Sequence, residues 1–368
     1  MENKENFMVK KIEFYNYFKN KKILLTGHTG FKGSWLTVWL LSLGCKIVGV
    51  SNNTITKPSI FKDLKIKKRI KHYVCDVENF SKFKKILLKE KPDIIFHLAA
   101  QALVSESFKN PLQTVSTNTL GSLNVLHAAS FLQKKCSCIM VTSDKCYYNL
   151  EKNKGYTEES RLGGEDLYSG SKACAEIILR SYFLSKINKN KKFKFCTVRA
   201  GNVVGGGDWS KNRLIPDLIK AWKKNNKAII KNPNSIRPWQ HVLEPLFGYL
   251  KLAFYLDSND NLNGQAFNFG PSTNKSFTVL QLVKVIQNKW KKTNGYKIKP
   301  ISTFKETKIL KLNSLKAQKK LKWKSILKLD ELAEYISEWY KSQLTKKDMY
   351  SLTIKQIKSY EKKCFYKK

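Results

Sequence analysis

The chain has 368 residues and a formal net charge of +41, and hydrophobic residues make up 42% of it. That is enough for a packed core, arranged as two domains or as one large domain with an attached lobe. No apolar run reaches the ~18 residues of a membrane-spanning helix, and the charged first residues lack the apolar block of a signal peptide, so we expect no membrane contact. The eight cysteines form no CxxC pair, which predicts reduced thiols, a cytoplasmic location and no metal site.

The excess of basic residues has two explanations: nucleic-acid binding, or compositional drift toward residues with A/T-rich codons. All but six of the 69 basic residues are lysine, and they are spread over the whole length. A nucleic-acid surface usually uses arginine, because its planar fork matches phosphate. We therefore expect no nucleic-acid partner. The charge predicts salt-dependent solubility and attraction of anionic substrates.

Three of the six arginines, Arg199, Arg213 and Arg237, lie in the motif-rich stretch 197–245. Where lysine is abundant, arginine remains at positions that lysine cannot fill. Two-pronged binding of a phosphate or carboxylate is one such role. A buried structural ion pair is the other.

Strand and helix patterns alternate over the first two hundred residues. A strand at 22–26, a Gly-rich turn, a helix at 34–43 and a strand at 46–50 form one βαβ unit. This order predicts an α/β fold, a Rossmann-type doubly wound parallel sheet with helices on both faces. The further segments are strands at 93–97, 138–142 and 194–198, and helices at 79–90, 118–131 and 166–186.

The composition changes after residue 200, where loops are rich in Gly, Asn, Pro and Trp, and helical patterns dominate after 278. We predict a dinucleotide-binding Rossmann domain over 1–200, continued by about 240–270. A smaller, mostly helical substrate lobe is predicted over 201–239 and 271–368. The Lys-rich C-terminal stretch predicts a peripheral helix with a frayed end.

The first turn, TGHTGFKG, places glycines at 27, 30 and 33, between a strand and a helix. Gly27 permits the tight turn, Gly30 lets the backbone approach a pyrophosphate, and Gly33 allows close packing of helix and strand. The phosphates are then expected at the helix N-terminus. The segment predicts a dinucleotide site.

Two further motifs carry candidate chemistry. Tyr168 and Lys172 are spaced i, i+4 at the start of a predicted helix and share one face of it. A lysine ammonium favours the phenolate, so Tyr168 could act as a base near neutral pH. The segment TSDKCY follows a predicted strand, which places Ser143, Asp144 and Lys145 at the carboxyl edge of the sheet, where ligands bind in such folds.

The order and spacing of these motifs resemble the extended short-chain dehydrogenase/reductase family. The segments FHLAAQ, RAGNVVGGGDW, RLIPD, NPNSIRPWQHVLEPLFGYL and NFGP resemble its sugar-nucleotide dehydratase branch, and in particular the members that act on CDP-glucose. The resemblance runs from about residue 20 to about residue 360. It includes Asp144-Lys145, where relatives acting on dTDP-glucose carry Asp-Glu.

The resemblance implies NAD as cofactor, Asp76 as the acid that contacts adenine, and Asn118 as a structural residue. The second strand ends in Ser51-Asn52-Asn53, where an acid for the adenosine ribose is expected, so the choice between NAD and NADP stays open. The implied cofactor-binding residues are Gly27, Thr29, Gly30, Phe31, Gly33, Asp76, Leu98, Ala99, Ala100, Tyr168 and Lys172.

The implied activity converts CDP-glucose to CDP-4-keto-6-deoxyglucose through oxidation, loss of water and reduction, in a homodimer or larger homo-oligomer. The implied catalytic residues are Ser143, Asp144, Lys145, Tyr168 and Lys172. The implied substrate-binding residues are Gln101, Ser143, Asn202, Arg213, Arg237 and His241.

Three alternatives remain on the sequence alone. A sugar-nucleotide epimerase would share the Gly turn and the Tyr/Lys pair but would not need Asp144 and Lys145. A nucleic-acid-binding protein would need neither, and only the charge suggests it. A binding protein that keeps the fold without the chemistry would not need the complete catalytic set.

Overall fold

The computed structural model describes residues 4–52, 56–151, 153–187, 190, 192–271, 277–291, 293–299 and 308–366, so Asn53 lies outside the described residues. The strands are β1 Lys22–Thr26, β2 Lys46–Ser51, β3 Lys71–Val74, β4 Ile94–His97, β5 Cys136–Val141, β6 Phe193–Ala200, β7 Val203–Val204, β8 Ala228–Ile230, β9 Ile236–Arg237, β10 Gln240–His241, β11 Gln265–Phe269, β12 Phe277–Thr278 and β13 Tyr296–Ile298. The helices are α1 Lys4–Phe18, α2 Phe31–Ser42, α3 Ile60–Asp63, α4 Phe80–Glu90, α5 Val104–Lys109, α6 Pro111–Val115, α7 Gly121–Ala129, α8 Leu167–Tyr182, α9 Leu214–Lys223, α10 Leu243–Ser258, α11 Val279–Trp290, α12 Leu315–Leu321, α13 Leu329–Leu344 and α14 Met349–Tyr366.

Seven parallel strands form the central sheet, in the order β11-β6-β5-β4-β1-β2-β3. The chain reverses its direction of travel between β1 and β4, which pair side by side with Thr26 opposite His97. In such sheets ligands bind outside the carboxyl ends of the strands at this reversal. The predicted Rossmann-type doubly wound parallel sheet is confirmed, and it places the Gly turn and the end of β4 at the same edge.

The two faces of the sheet carry separate hydrophobic cores, because successive strand side chains point to opposite faces. Ile23 and Leu25 of β1 lie in the core that includes α2 and α10. Leu24 lies in the core on the other face, with residues of α4, α7 and α8. Both cores are nearly continuous along their strands, as expected for a parallel sheet buried on both sides.

Two elements differ from the sequence-based prediction. The edge strand β3 (KHYV) was not predicted, because its side chains are half-buried or exposed and show no apolar run. The helix predicted at 118–131 is instead α6 and α7 joined by a π-helical turn at Ser116–Leu120. π-Turns inside helices are frequent at functional sites, and this one contains Asn118.

The predicted C-terminal helix is present as α14, and one of its faces is firmly anchored. It packs against α1 and α2, and its Ile357 and Tyr360 are fully buried. Glu361 accepts a hydrogen bond from Trp39 Nε1 at 2.7 Å and another from the Tyr15 hydroxyl. The predicted frayed end, Lys367 and Lys368, lies outside the described residues. None of the helices in the described ranges is long and apolar enough to cross a membrane.

Candidate active site

The Gly turn has the geometry of a phosphate cradle. Gly27 has φ +70°, and a Cβ on it would lie 2.7 Å from the backbone nitrogen of Ala99. A Cβ on Gly33 would lie 2.2 Å from the Gly27 carbonyl oxygen. Helix α2 begins directly after Gly30, so its free backbone N–H groups face this turn. A side chain at either position would clash with backbone atoms, so Gly27 lets the turn pack against the segment after β4 and Gly33 lets α2 pack against the turn.

The Gly turn is tied to the ends of β2 and β3 by neutral hydrogen bonds. Thr29 Oγ1 lies 2.7 Å from Ser51 Oγ, where an acid was expected. Asn52 Nδ2 donates to Asp76 Oδ2 at 3.1 Å, so a carboxylate reaches this end of the sheet from the β3 side. The fully buried His28 pairs with His72, Nε2 to Nδ1, at 2.8 Å. Burial and His72 lower the pKa of His28 to about 4.

The end of β4 is fixed by Thr26. Its Oγ1 accepts hydrogen bonds from the backbone N–H groups of Leu98 and Ala99, each at 3.2 Å, and lies 2.8 Å from His97 Nδ1. Leu98, Ala99 and Ala100 therefore follow β4 beside Gly27, where the predicted cofactor-binding strand end was expected to lie. Burial lowers the pKa of His97 to about 3, so the imidazole that supports this segment is neutral.

Asn118 connects this strand end to α8. Its amide donates to the Gln101 carbonyl at 3.0 Å and to Ser171 Oγ at 2.9 Å, and its Oδ1 accepts from Gln101 N at 2.9 Å. The Gln101 side chain donates to Leu103 O at 3.0 Å, in its own turn, and to Thr114 Oγ1 at 2.9 Å, on α6. These contacts are structural and do not favour the predicted substrate role of Gln101.

Asp144 follows β5 and is only 4% exposed. Its Oδ1 accepts a hydrogen bond from Ser143 Oγ at 3.1 Å. Its Oδ2 is buried and finds no hydrogen-bond partner among the described residues. Burial raises the pKa of Asp144, although the nearby charges of Lys145, Lys32 and Arg237 act in the opposite direction. The structure therefore places a buried carboxyl group, whose pKa burial raises, beside the Ser143 hydroxyl.

Tyr168 and Lys172 share the buried face of α8, and Asp166 caps this helix by accepting from Ser169 N at 2.9 Å. Burial raises the pKa of Tyr168, against a hydrogen bond with Ser143 and the charge of Arg213. Burial also lowers the pKa of Lys172 to about 8. Burial of Tyr168 thus acts against the phenolate that a nearby lysine was expected to favour.

Arg199 resolves one of the alternatives left by the sequence. It is a buried structural ion pair: Nε and Nη2 each donate to Glu176 at 2.9 Å, and Nη1 donates to Tyr147 Oη at 2.7 Å. Glu176 lies on α8 one turn after Lys172. The pair joins β6 to α8 beneath the Tyr/Lys motif and has no phosphate-binding role.

The other two arginines lie on segments that follow β6 in the chain, and their charges act on residues of the site. Arg213 Nη1 lies 3.3 Å from Asp208 Oδ2, and its charge acts on Tyr168. Arg237 Nη1 donates to Ile236 O at 3.0 Å, and its charge acts on Asp144. The half-buried Asn202 accepts from Gln240 N at 3.1 Å through its backbone. These three residues remain candidates for substrate binding.

His241 lies in the hydrophobic core. Its ring packs edge-on against Trp35 at 5.7 Å and Tyr335 at 5.4 Å, and burial lowers its pKa to about 3. A Cβ on Gly205 would lie 3.0 Å from Phe31 Cζ and 3.4 Å from His241 Nε2, so the structure brings His241 near Phe31 of the predicted cofactor-binding set. A substrate role for His241 finds no support in this placement.

Lys32 is a site residue that the sequence reasoning missed. It is the second residue of α2, and its charge acts together with those of Lys172, Arg213, Asp144 and Asp208. Burial and Arg213 lower its pKa to about 8. A lysine inside the Gly turn was the available signal, but the abundance of lysine elsewhere concealed it. The described residues contain no group of three or more His, Cys, Asp or Glu that could hold a metal ion.

Comparison with known protein families identifies the class to which a chain with this sheet and this site belongs. The sequence profile of the family described as GDP-mannose 4,6 dehydratase matches residues 24–336. The chain therefore belongs to that family, among the sugar-nucleotide dehydratases of the extended short-chain dehydrogenase/reductases, and the predicted resemblance is confirmed.

Comparison with individual proteins shows which relatives the chain resembles. The chain is 37% identical over 349 residues to the CDP-glucose 4,6-dehydratase of Salmonella typhimurium, with 94% of this chain and 97% of that protein covered. The epimerase Mth375 of Methanothermobacter thermautotrophicus has a similar fold, with a TM-score of 0.80 at 21% identity over 92% of this chain and 97% of that one. The dTDP-glucose 4,6-dehydratase of Bacillus anthracis, in complex with NAD, gives 0.73 at 20% identity over 90% and 99%.

Proposed function

We propose that this chain is a hydro-lyase that converts CDP-glucose to CDP-4-keto-6-deoxyglucose and water. The observation that carries the proposal is the buried carboxyl of Asp144 beside Ser143 and the Tyr168/Lys172 pair. An oxidoreductase or epimerase needs the hydroxyl and the tyrosine but has no step that requires a protonated acid here. The full-length similarity to a CDP-glucose 4,6-dehydratase supports the same reaction.

NAD is the proposed cofactor, and the residues present fit it. The cradle at Gly27, Gly30 and Gly33 would hold the pyrophosphate, and Asp76 would face the adenine. Thr29, Phe31, Leu98, Ala99 and Ala100 would line the rest of its path, with Lys172 at the nicotinamide ribose. When bound, NAD would supply the hydride acceptor for oxidation at carbon 4 of the sugar and the hydride donor for reduction at carbon 6.

The chain's own residues would move the protons. Tyr168, in its phenolate form, would take the proton of the sugar 4-hydroxyl, and its hydrogen bond with Ser143 lowers the pKa of the phenol toward that form. The resulting 4-keto group makes the proton on carbon 5 acidic, and Lys145 is the proposed base for it. Asp144 would give its proton to the departing 6-hydroxyl, because hydroxide is a poor leaving group. Arg213, Arg237 and Asn202 are the proposed clamp for the substrate diphosphate.

The test is incubation with CDP-glucose and NAD⁺, with mass spectrometry of the sugar nucleotide. We expect a product lighter by one water. Tyr168→Phe should lower turnover by about 10² or more, the usual scale for an acid–base group. Unchanged CDP-glucose with the wild-type protein, or near-full activity of the variant, would contradict the proposal.

We further propose that the chain acts in the cytoplasm as a homodimer. All eight cysteines are free, which fits a reducing compartment. The neighbouring helices α5, α6 and α8, with the π-helical turn Phe183–Ile187 that follows α8, expose large apolar side chains, and a second copy would cover them. They are Phe108, Leu112, Val115, Ile177 and Leu184.

Light scattering should give twice the chain mass for the wild type and one chain mass for Ile177→Asp. Ile229→Asp, an exposed control on β8, should stay dimeric, and a monomeric wild type would contradict the proposal.

A further inference from the structure

Glu176 is a buried carboxylate on α8 that the proposed reaction does not use. Its side chain is only 3% exposed. Its oxygens accept hydrogen bonds from Arg199 Nε and Nη2, each at 2.9 Å, from the Thr197 hydroxyl at 2.7 Å, and from the Thr142 hydroxyl. A carboxylate has about four acceptor positions, so these donors saturate it. The arginine neutralises the charge, and the two threonine hydroxyls complete the hydrogen bonding.

The two threonines differ in what they join to α8. Thr197 lies inside β6, the strand that also carries the arginine, so its hydroxyl repeats a link that the ion pair already makes. Thr142 directly follows β5 and precedes Ser143 and Asp144. Its backbone N–H donates to Val198 O at 2.9 Å, which pairs it with β6. Its side chain adds a link from the end of β5 to the helix.

Helix α8 carries Tyr168, Lys172 and Glu176 at successive turns of its buried face. The same helix packs against the 3₁₀ turn Asp144–Cys146, which follows β5. The bond from Thr142 to Glu176 therefore joins the two elements that carry the candidate catalytic side chains. Alignment between such elements matters, because a misplacement of ~1 Å can cost about 10² in rate.

We propose that Thr142 is a positioning residue for the reaction. Its bond to Glu176 holds the end of β5 in register with α8, and so fixes the side chains that follow β5 beside Tyr168 and Lys172. Ser143 is the side chain most directly affected, since it is the next residue in the chain and hydrogen-bonds with Tyr168. The kinetic consequence rests on the proposed function, whereas the anchoring itself does not.

The test uses Thr142→Val, with Thr197→Val as its matched control. Each substitution removes one hydroxyl from the same carboxylate, keeps the branched shape at Cβ and leaves the Arg199 ion pair in place. Replacing Glu176 itself would leave the arginine charge buried and unpaired, which is strongly destabilising. Both valine variants should therefore fold, and their thermal midpoints should fall by similar amounts.

The kinetic effects of the two variants should differ. Thr142→Val should lower kcat for CDP-glucose about tenfold and leave KM unchanged, because it disturbs alignment and not binding. In stopped-flow mixing, the absorbance of bound NADH should appear more slowly by the same factor. Thr142→Ser, which keeps the hydroxyl, should restore kcat, and Thr197→Val should retain it. Equal slowing in both valine variants, an unchanged kcat in Thr142→Val, or no rescue by serine would overturn the proposal.

Hydrogen exchange separates this inference from the proposed function, because it needs no turnover. Thr142→Val should exchange the backbone amides of 143–147 faster than the wild type, and Thr197→Val should exchange them at the wild-type rate. Two of these amides donate to carbonyls of their own turn at 3.2 and 3.4 Å, so loosening the segment exposes them. A wild type that leaves CDP-glucose unchanged refutes the proposed function alone. Unchanged exchange of this segment in folded Thr142→Val refutes the positioning role, whatever substrate the wild type accepts.

Discussion

Asp144 keeps its carboxyl group where water does not reach it. A free aspartic acid has a pKa of about 3.9 and is ionised at neutral pH. Burial raises the pKa of Asp144, and the three cations near it limit that shift. Burial therefore shifts Asp144 toward its protonated form relative to a free aspartic acid, which is the direction that an acid catalyst needs.

Asp144→Asn tests this role. The amide cannot supply the proton, yet it matches the carboxyl group in size, so oxidation at carbon 4 should proceed and loss of water should stop. Mass spectrometry of quenched reactions should find a 4-keto sugar that still carries its 6-hydroxyl. Asp208→Asn, which alters a buried carboxylate paired with Arg213, is the comparison and should impair binding instead. Normal release of the 6-deoxy product by Asp144→Asn would exclude Asp144 as the acid.

Arg237→Lys tests the proposed diphosphate clamp. Lysine keeps the charge but loses the planar fork that can bind two phosphate oxygens. We expect the Kd for CDP-glucose, measured by calorimetry, to rise about tenfold, equivalent to about 1.4 kcal/mol. Arg69→Lys is the matched control. The Arg69 guanidinium lies 3.7 Å from the centre of the Tyr350 ring, and neither residue belongs to the predicted site. An unchanged Kd in Arg237→Lys would remove Arg237 from the clamp.

Residues that act through local spacing could be predicted from the sequence. The glycines of the first turn and the Tyr168/Lys172 pair are of this kind, because strand, turn and helix fix their relative positions. Lys32 could not, because only the folded chain brings its charge near those of Asp144 and Lys172. For Arg199, the composition indicated that lysine could not replace it, but it left both phosphate binding and a buried ion pair possible. Only the observed pairing with Glu176 identifies the role of Arg199.

At the scale of elements, α10 holds the segment that precedes α13. Glu244, 1% exposed, accepts hydrogen bonds from the backbone N–H groups of Ile326, at 3.0 Å, and Leu327, at 2.7 Å. Burial raises the pKa of Glu244 from 4.5 to about 7. The folded chain therefore binds a proton more tightly than the unfolded chain at this position.

This shift predicts a pH dependence of stability. Between pH of about 4.5 and about 7 the folded state holds more protons, so the free energy of unfolding should fall as the pH rises through this window. The contribution is at most about 3 kcal/mol. Glu244→Gln keeps an acceptor oxygen without the charge, and its stability should depend less on pH in chemical unfolding at pH 5 and pH 8. Glu338→Gln, on α13 and paired with Lys355, is the control and should keep the wild-type slope. Identical slopes for wild type and Glu244→Gln would contradict the assignment.

At the scale of the whole molecule, the charge of +41 favours anionic ligands in general. Lysines lie on every segment and form no single stripe in the sequence, which is unlike a nucleic-acid footprint. We expect binding to DNA or RNA to be weak, blind to sequence and lost as the salt concentration rises. Fluorescence anisotropy with random and repeated oligonucleotides at two salt concentrations measures this. Tight, sequence-selective binding at physiological salt would show that the charge has a dedicated partner.

The contact of α14 with α1 and α2 has a consequence for biosynthesis. Trp39 and Phe247, both buried, stack face to face at 5.8 Å, and Tyr360 packs against both rings from α14. A ribosome makes ~5–20 residues each second, so the strands of the sheet emerge many seconds before this last helix does. Until then, that apolar surface faces the cytosol of the translating cell. Nascent chains stalled before α14 should therefore be captured by chaperones, and release of the final helix should end that association.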